Sequence, residues 1–413
     1  MRVIADLHIH SRYSRACSKD LTLPNIAVWC AKKGIGLVGT GDFTHPAWFA
    51  GMQKELQPHD SGFYTIKKSE IYFVPTAEIS CIYKRGGKVR RVHIIVVAPT
   101  LEVVKKINTK LASIGNIHSD GRPILGLDAE ELAKIVFDAS PDCLVVPAHA
   151  WTPWFAVFGS ESGFDSLEEC FGETTKYIYA IETGLSSDPG MNWRLSQLDR
   201  IALLSNSDAH SLANLGREAN VFDFPELTHH AFVNAIRTKN QKQFLHTIEF
   251  FPEEGKYHVD GHRACSVRLT PQETKKHKGL CPKCKKPVTV GVLYRIDTLA
   301  DRKEGEKPKS AIPYKNIVPL QEIIAEAFGV RKQSKKVQAA YEKMVARKSE
   351  FEMLLDVSYD VLSSIAGDRR IVDGIRRVRE GKLTILPGYD GEYGTIRIFN
   401  DAERVENKQQ KLL

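Results

Sequence analysis

A chain of 413 residues is longer than one hydrophobic core usually supports, so two or three domains are expected, and 42% hydrophobic with 26% charged residues and no low-complexity tract excludes a disordered polymer. Charges and histidines interrupt the opening MRVIADLHIH, and no apolar run approaches the roughly 18 residues of a membrane span, so a cytoplasmic chain with no membrane partner is expected. A net charge of +8 permits a nucleic-acid partner, while eight cysteines over this length make a disulfide framework unsuitable.

From the N-terminus, short apolar runs alternate with amphipathic segments. The predicted strands are Arg2–Ala5, Gly36–Gly39, Ile71–Pro75, Val92–Val97, Cys143–Pro147, Tyr177–Ile181 and Ile201–Ser205. This rhythm predicts an α/β fold over residues 1–248. A second segment, 249–306, is rich in lysine and cysteine, with a short strand expected at Thr289–Tyr294. The third, 307–413, is mainly helical: Leu320, Ile323, Ile324 and Ala327, then Val337, Ala340, Tyr341 and Met344, recur at helical spacing, punctuated by Gly329 and Gly367.

A polar residue follows nearly every early strand: Asp6 with His8 and His10, Asp42, Glu78, His149, Glu182, and Asp208 with His210. In α/β folds the C-terminal ends of parallel strands converge on one face, so these side chains can meet. His8 and His10 alternate on an extended segment and share a side. With His93 the set is too polar to be buried together unless cations compensate it. A divalent-metal centre with His8, His10, Glu78, His149 and Asp208 as its catalytic core is therefore expected. Asp6 is expected to orient a ligand histidine rather than to bind metal.

His262-Arg-Ala-Cys265 followed by Cys281-Pro-Lys-Cys284 pairs an HxxC with a CxxC, the layout of a four-ligand structural zinc that braces a basic surface. Incidental thiols are the alternative. Basic residues Arg85, Lys88, Arg90 and Arg91 surround a Gly86-Gly87 turn and suit phosphate binding. Tyr13, Trp151 and Trp154 flank the metal motifs and suit stacking on a nucleotide, with core packing as the alternative for each tryptophan.

The segments DLHIH, GTGDFTH, TAEIS with Glu78, His93, PAHAW with His149, and SDAH resemble the motifs of polymerase and histidinol phosphatase (PHP) phosphoesterases. The resemblance implies a distorted (β/α)7 barrel and two or three ions of zinc, manganese, magnesium or iron. By matching position, His8, His10, Glu78 and Asp208 hold one ion, Glu78 bridges to a second held by His93 and His149, and a third uses His210 with Asp42 or His45. Such ions activate a water and neutralise phosphate charge. With HRAC, CPKCKKPVTVGVLYRIDTLADR, IVPLQEIIAEAFGV and PGYDGEYG, the whole chain is similar to the endonuclease Q family. That resemblance implies a DNA repair endonuclease nicking 5′ to hypoxanthine, uracil or xanthine and at abasic sites, in double- or single-stranded DNA. A small-molecule phosphatase and a DNA-binding module with an inactive PHP site are the alternatives. The closing Gln409–Leu413 is similar to peptides that dock on a sliding clamp, with a frayed polar tail as its alternative.

Overall fold

The computed structural model describes residues 1–400 and 403. Strand β1 (Arg2–Asp6) is buried from Val3 onward and leads, through α1 (Leu23–Lys33), to the parallel strand β2 (Leu37–Gly39). Pro24 in its first turn favours the start of α1, and Gly34, at φ 87°, ends it. Helix α2 (Pro46–Glu55) precedes β3 (Tyr72–Val74), parallel to β2.

Regular βα alternation is interrupted next. β4 (Thr76–Arg85) and β5 (Lys88–Val97) form a ten-residue antiparallel hairpin, closed by Gly86 and Gly87 at φ 61° and 74°. Two consecutive positive φ values suit a two-residue hairpin turn. After α3 (Leu101–Ala112) and α4 (Ala129–Ala139), β6 (Leu144–Pro147) pairs antiparallel with β5. β7 (Ala180–Glu182) and β8 (Ala202–Leu204) are parallel to each other. The strand expected from Tyr177 begins only at Ala180. Residues Gly172–Tyr177 form a 3-10 helix instead, and the Arg200 guanidinium takes the carbonyls of Thr175 and Ile178. Beyond β1 and β8 the chain meets itself in a parallel bridge between Ile9 and Ala209. β9 (Ala219–Asp223) then runs antiparallel to β1, and, after α5 (His229–Arg237), β10 (Phe244–Glu249) runs antiparallel to β9.

β11 (Asp260–His262) and β12 (Val267–Leu269) form a small hairpin beside the CxxC. The strand expected at Thr289–Tyr294 is reduced to one bridge from Thr289 to Gly261, after which the chain turns into α6 (Val292–Leu299). The Gly291 N–H donates to the Asp260 carboxylate at 2.6 Å, and Val292 and Ile296, four residues apart, are both buried. Packing on one helical face overrides the strand preference of these residues. Arg295 ties α6 to the first segment through the carbonyls of Phe158 and Phe164.

β13 (Tyr314–Asn316) adds in parallel to β10, so the third segment begins by extending the first segment's sheet. The helices α7 (Leu320–Phe328), α8 (Lys335–Val345), α9 (Tyr359–Ala366) and α10 (Arg369–Arg379) follow, with Gly329 and Gly367 as left-handed caps. Buried Lys33 of α1 pairs with Glu350 at 2.8 Å, and Glu350 also accepts from the Tyr341 hydroxyl and the Leu320 N–H. The hairpin β14 (Thr384–Leu386) and β15 (Thr395–Arg397) closes the described chain, and Tyr389 between them bridges back to Val259. Residues Gln409–Leu413 lie outside the described residues. Among those described, no helix is long and apolar enough to cross a membrane.

At the end of β10 the wholly buried Glu249 accepts from the Thr183 hydroxyl, and burial pushes its carboxyl up to about 8. Between the ordinary carboxylate range and pH 8 the folded chain keeps this proton while the unfolded chain gives it up, so stability falls as pH rises through that window. Glu249→Gln cannot ionise. It is expected to raise the Tm at pH 8 and flatten the loss, as read by thermal denaturation across that range; a slope equal to wild type would contradict this assignment.

Candidate metal centre and nucleic-acid face

The polar residues that follow β1, the adjoining hairpin and β8 converge. Nε2 of His10 lies 3.0 Å from Asp208 Oδ1 and 3.3 Å from Glu78 Oε2, and Nε2 of His8 lies 3.5 Å from Glu78 Oε2 and 3.7 Å from Asp208 Oδ1. The second oxygen of Glu78 faces another set: Oε1 is 2.6 Å from His93 Nδ1 and 3.0 Å from His149 Nε2. Glu78 thus belongs to two donor clusters, His8–His10–Glu78–Asp208 and Glu78–His93–His149, each with its donor atoms within 4.8 Å of one another. β4 and β5 make this possible, because their register sets Ser80 opposite His93 and leaves Glu78 two residues along the same strand face.

The outer ring nitrogens are held from behind. His8 Nδ1 lies 3.0 Å from Glu182, whose carboxylate also takes the His149 backbone N–H at 2.8 Å. His10 Nδ1 lies 3.0 Å from Asp42, and His149 Nδ1 lies 3.2 Å from the Thr152 hydroxyl. A neutral imidazole that donates from Nδ1 can only accept at Nε2. His8 Nε2, His10 Nε2 and Asp208 Oδ1 are all buried without a hydrogen-bond partner. Acceptors that converge on acceptors in a buried space fit a cation. In the metal-free protein, burial opposes the imidazolium of His8, but Glu182 and Glu78 hold its pKa well above the ordinary range. Burial likewise opposes the charged form of Glu78, yet His93 and His8 hold its carboxyl well below the ordinary range. Asp42, His149 and Asp208 all adopt left-handed backbone, at φ 49°, 31° and 46°, a strained conformation often kept where side-chain aim matters.

Asp42, His45, His210 and Asp6 stand outside the two donor clusters. Asp42 is taken up by His10 and by the Ser11 and Ser14 hydroxyls, so it orients a ligand rather than joining a donor cluster. His45 caps α2 with its ring stacked 4.4 Å from Tyr13, and His210 packs its ring 4.6 Å from His10; among the described residues neither joins a cluster of three donors. Asp6 orients no histidine: it accepts from the backbone N–H groups of Ser207 and Gly216 and so braces the SDAH loop. Glu182, a strand-end acid with no role assigned from sequence, orients His8. Arg122, in a loop with no motif, donates to Glu78 Oε2 at 3.1 Å.

His262, Cys265, Cys281 and Cys284 form a third cluster, with His262 Nδ1 3.6 Å from Cys284 Sγ. Burial opposes the Cys281 thiolate, but the backbone N–H groups of Cys284 and Lys283 hold its thiol below the ordinary range. Two imidazole or thiol donors from each half of the unit suit a closed four-coordinate ion.

Among the residues expected to meet a nucleic acid, exposure divides the candidates. Trp151 is buried, donates to Asn192 at 2.7 Å and stacks on Phe158, so it is core. Trp154 is 41% exposed and Tyr13 37%. Arg85 is spent internally on the carbonyls of Glu169 and Cys170 and the carboxylates of Asp128 and Glu130. Arg90 lies 4.1 Å over the Phe164 ring and donates to the Gly163 carbonyl, and Arg91 lies 5.9 Å from the Phe155 ring. Lys84 and Lys88 point to solvent. A cavity of about 210 Å³ opens beside Thr152, between Trp154, Lys256, Tyr257 and the buried His258.

The family described as "PHP-associated" matches residues 193–240, and "MJ0043 C-terminal domain" matches residues 319–382. An uncharacterised protein of Methanocaldococcus jannaschii, MJ0043, is 32% identical over 253 residues, which are 60% of this chain and 31% of that protein. The chain thus spans about a third of that relative's length. An uncharacterised Bacillus subtilis protein, YqxK, is 29% identical over 96% of this chain and 99% of its own. Two crystal structures match throughout. The lesion-specific endonuclease PfuEndoQ of Pyrococcus furiosus superposes with a TM-score of 0.86 at 35% identity, covering 100% of this chain and 99% of that one. An endonuclease Q bound to a 27-mer duplex with an abasic lesion at its active site gives 0.84 at 36%, covering 97% and 98%. With more than a third of its residues identical over the full length of both, the chain belongs to the endonuclease Q family, enzymes that hydrolyse DNA.

Proposed function

We propose that this protein is a divalent-metal-dependent repair endonuclease that nicks DNA on the 5′ side of hypoxanthine, uracil and xanthine and at abasic sites. The observation that carries the reading is Glu78, whose two oxygens each face a separate set of imidazole and carboxylate donors. Two divalent ions, of zinc, manganese, iron or magnesium, could be held by these donors and would supply the Lewis acidity that makes water a nucleophile near neutral pH and offsets phosphate charge. Hydrolysis joins a water oxygen to phosphorus and breaks one bridging P–O bond, whose oxygen takes up a proton. The chain's own part is placement: Glu182, Asp42 and Thr152 fix the ring orientation of His8, His10 and His149. Thr152 also lines the cavity walled by Trp154 and Tyr257, which suits an extruded base next to the scissile bond. A damaged, weakly paired base costs least to extrude, which favours lesions over intact pairs. The Cys–His cluster would hold a structural zinc in the unit between Tyr257 and Val292, which both line that cavity.

The test incubates the protein and Asp208→Asn, with manganese or magnesium, with duplex and single-stranded DNA carrying one hypoxanthine, uracil, xanthine or abasic site. A lesion-dependent 5′ nick, lost in the variant, is expected. Cleavage of undamaged DNA at equal rate, or phosphate release from small esters alone, would defeat the reading.

Phosphate contacts that position the duplex fall to the exposed lysines. Lys84→Glu with Lys88→Glu is expected to raise the Kd for DNA and lower the slope of log K against log salt by about two, as read by fluorescence anisotropy at several ionic strengths. An unaltered slope would take the hairpin tip off the DNA path.

A further inference from the structure

Arg122 has no part in the donor clusters, yet its guanidinium lies against the residue they share. One N–H donates to Glu78 Oε2 at 3.1 Å, and the charge also acts on His93 and His210. The loop that carries it is fixed on both sides. Asp120 accepts from the backbone N–H groups of Arg15 and Arg122, Gly121 donates to the Tyr13 carbonyl at 3.1 Å, and the Gly121 carbonyl takes the Thr44 hydroxyl at 3.1 Å. A Cβ at Gly121 would run into Asp42 and Ser14, so only glycine lets the loop sit this close. Arg122 is therefore anchored to the turn after DLHIH and to the GTGDFTH segment, and 28% of its side chain remains exposed above the site. Its other guanidinium N–H groups have no acceptor among the described residues.

Charge decides what this arrangement is for. Glu78 and Asp208 bring two negative charges to a site that two divalent ions would fill with four positive ones. A guanidinium fixed beside them is repelled unless an anion lies between, and Glu78 needs no extra cation once the ions are bound. A phosphodiester is that anion, and the planar fork of arginine matches two phosphate oxygens. We infer that Arg122 is a catalytic residue that leaves Glu78 on metal loading and donates to the non-bridging oxygens of the scissile phosphodiester. The inference rests on the reading of this site as a DNA phosphodiesterase. It makes Arg122 a fixed cation that meets charge as it develops on phosphorus.

Wild type, Arg122→Ala and Arg122→Lys are compared in three ways: single-turnover nicking of a lesion duplex, metal-to-protein ratio by elemental analysis, and calorimetric titration of the manganese-loaded protein with inorganic phosphate. Arg122→Ala is expected to nick about 100-fold more slowly or worse, with an unchanged metal ratio and phosphate binding weakened about tenfold. Arg122→Lys, with the charge but not the fork, should recover part of each. Wild-type rate and phosphate affinity in both variants would overturn the inference. So would a metal ratio that falls in step with the rate, because Arg122 would then only prop Glu78. If wild type nicks no lesion, the endonuclease reading itself fails, and the phosphate titration still decides whether Arg122 holds the anion.

Discussion

Glu78→Gln is expected to lower the nicking rate by about 10³-fold to 10⁴-fold, the scale seen when one member of a catalytic unit is removed. It should do so by emptying both donor clusters together. Glu78 is the one residue common to them, and its two oxygens are divided between His8 with His10 and His93 with His149. The amide keeps the shape of the side chain but brings an NH2 group where an anionic oxygen stood, so one cluster loses a donor outright and both lose charge. Elemental analysis after dialysis should show the ions at this centre lost as a pair, whereas His93→Ala should empty mainly the second cluster. Full metal content in Glu78→Gln would refute the shared-ligand arrangement. The buried imidazoles would meanwhile lose their main counter-charge, so a fall in Tm of the metal-free variant is expected with it.

Cys281→Ser combined with Cys284→Ser should release a separate ion and unfold the unit around β11 and β12 without touching the first centre. That unit's own core is Val267, Leu269, Cys281 and Val288, far too little apolar surface to offset the ordering of its chain. In small metal-stapled units the binding free energy, roughly 10–16 kcal/mol for structural zinc peptides, is the folding free energy. Amide hydrogen exchange should rise across residues 260–290, and one equivalent of metal should be lost. Because Tyr257, His258 and Lys256 line the cavity beside Thr152, lesion selectivity should suffer more than the intrinsic cleavage of abasic DNA, in which there is no base to hold. Undiminished protection of residues 260–290 after loss of the ion would mean that the fold does not depend on it.

The residues of the two donor clusters were legible because all but His93, which lies within a predicted strand, are His or acids set beyond the end of one, where chain direction makes side chains converge. Their supports were not. Glu182 stands at such a strand end too, but its role depends on which ring nitrogen it faces, and spacing carries no information on that. Asp6 and Asp42 show the same limit from opposite sides: the acid expected to orient a histidine braces backbone, and the one expected as a ligand lies against the outer nitrogen of His10. Arg122 lies in a loop without periodicity, so nothing in the sequence pointed to it. Trp151 and Trp154 are three residues apart in one stretch, yet Trp151 donates to Asn192 in the core while Trp154 lies outside it. The C-terminal helices were legible from their three- and four-residue spacing and glycine stops. The hairpin β4–β5 was half visible: its second strand was read from Val92–Val97, but the first, TAEISCIYKR, was too mixed in polarity to stand out.

That hairpin has a mechanical consequence. Glu78 and His93 lie on opposite arms of one ribbon, joined through a turn of only two glycines about 20 Å away from His93 at the rise of an extended strand. The ribbon works as a caliper whose jaw spacing is set at its hinge. One residue inserted between Gly86 and Gly87 would slide the arms by a single step and swing His93 to the opposite face, dismantling one half of the centre while leaving every ligand in the chain.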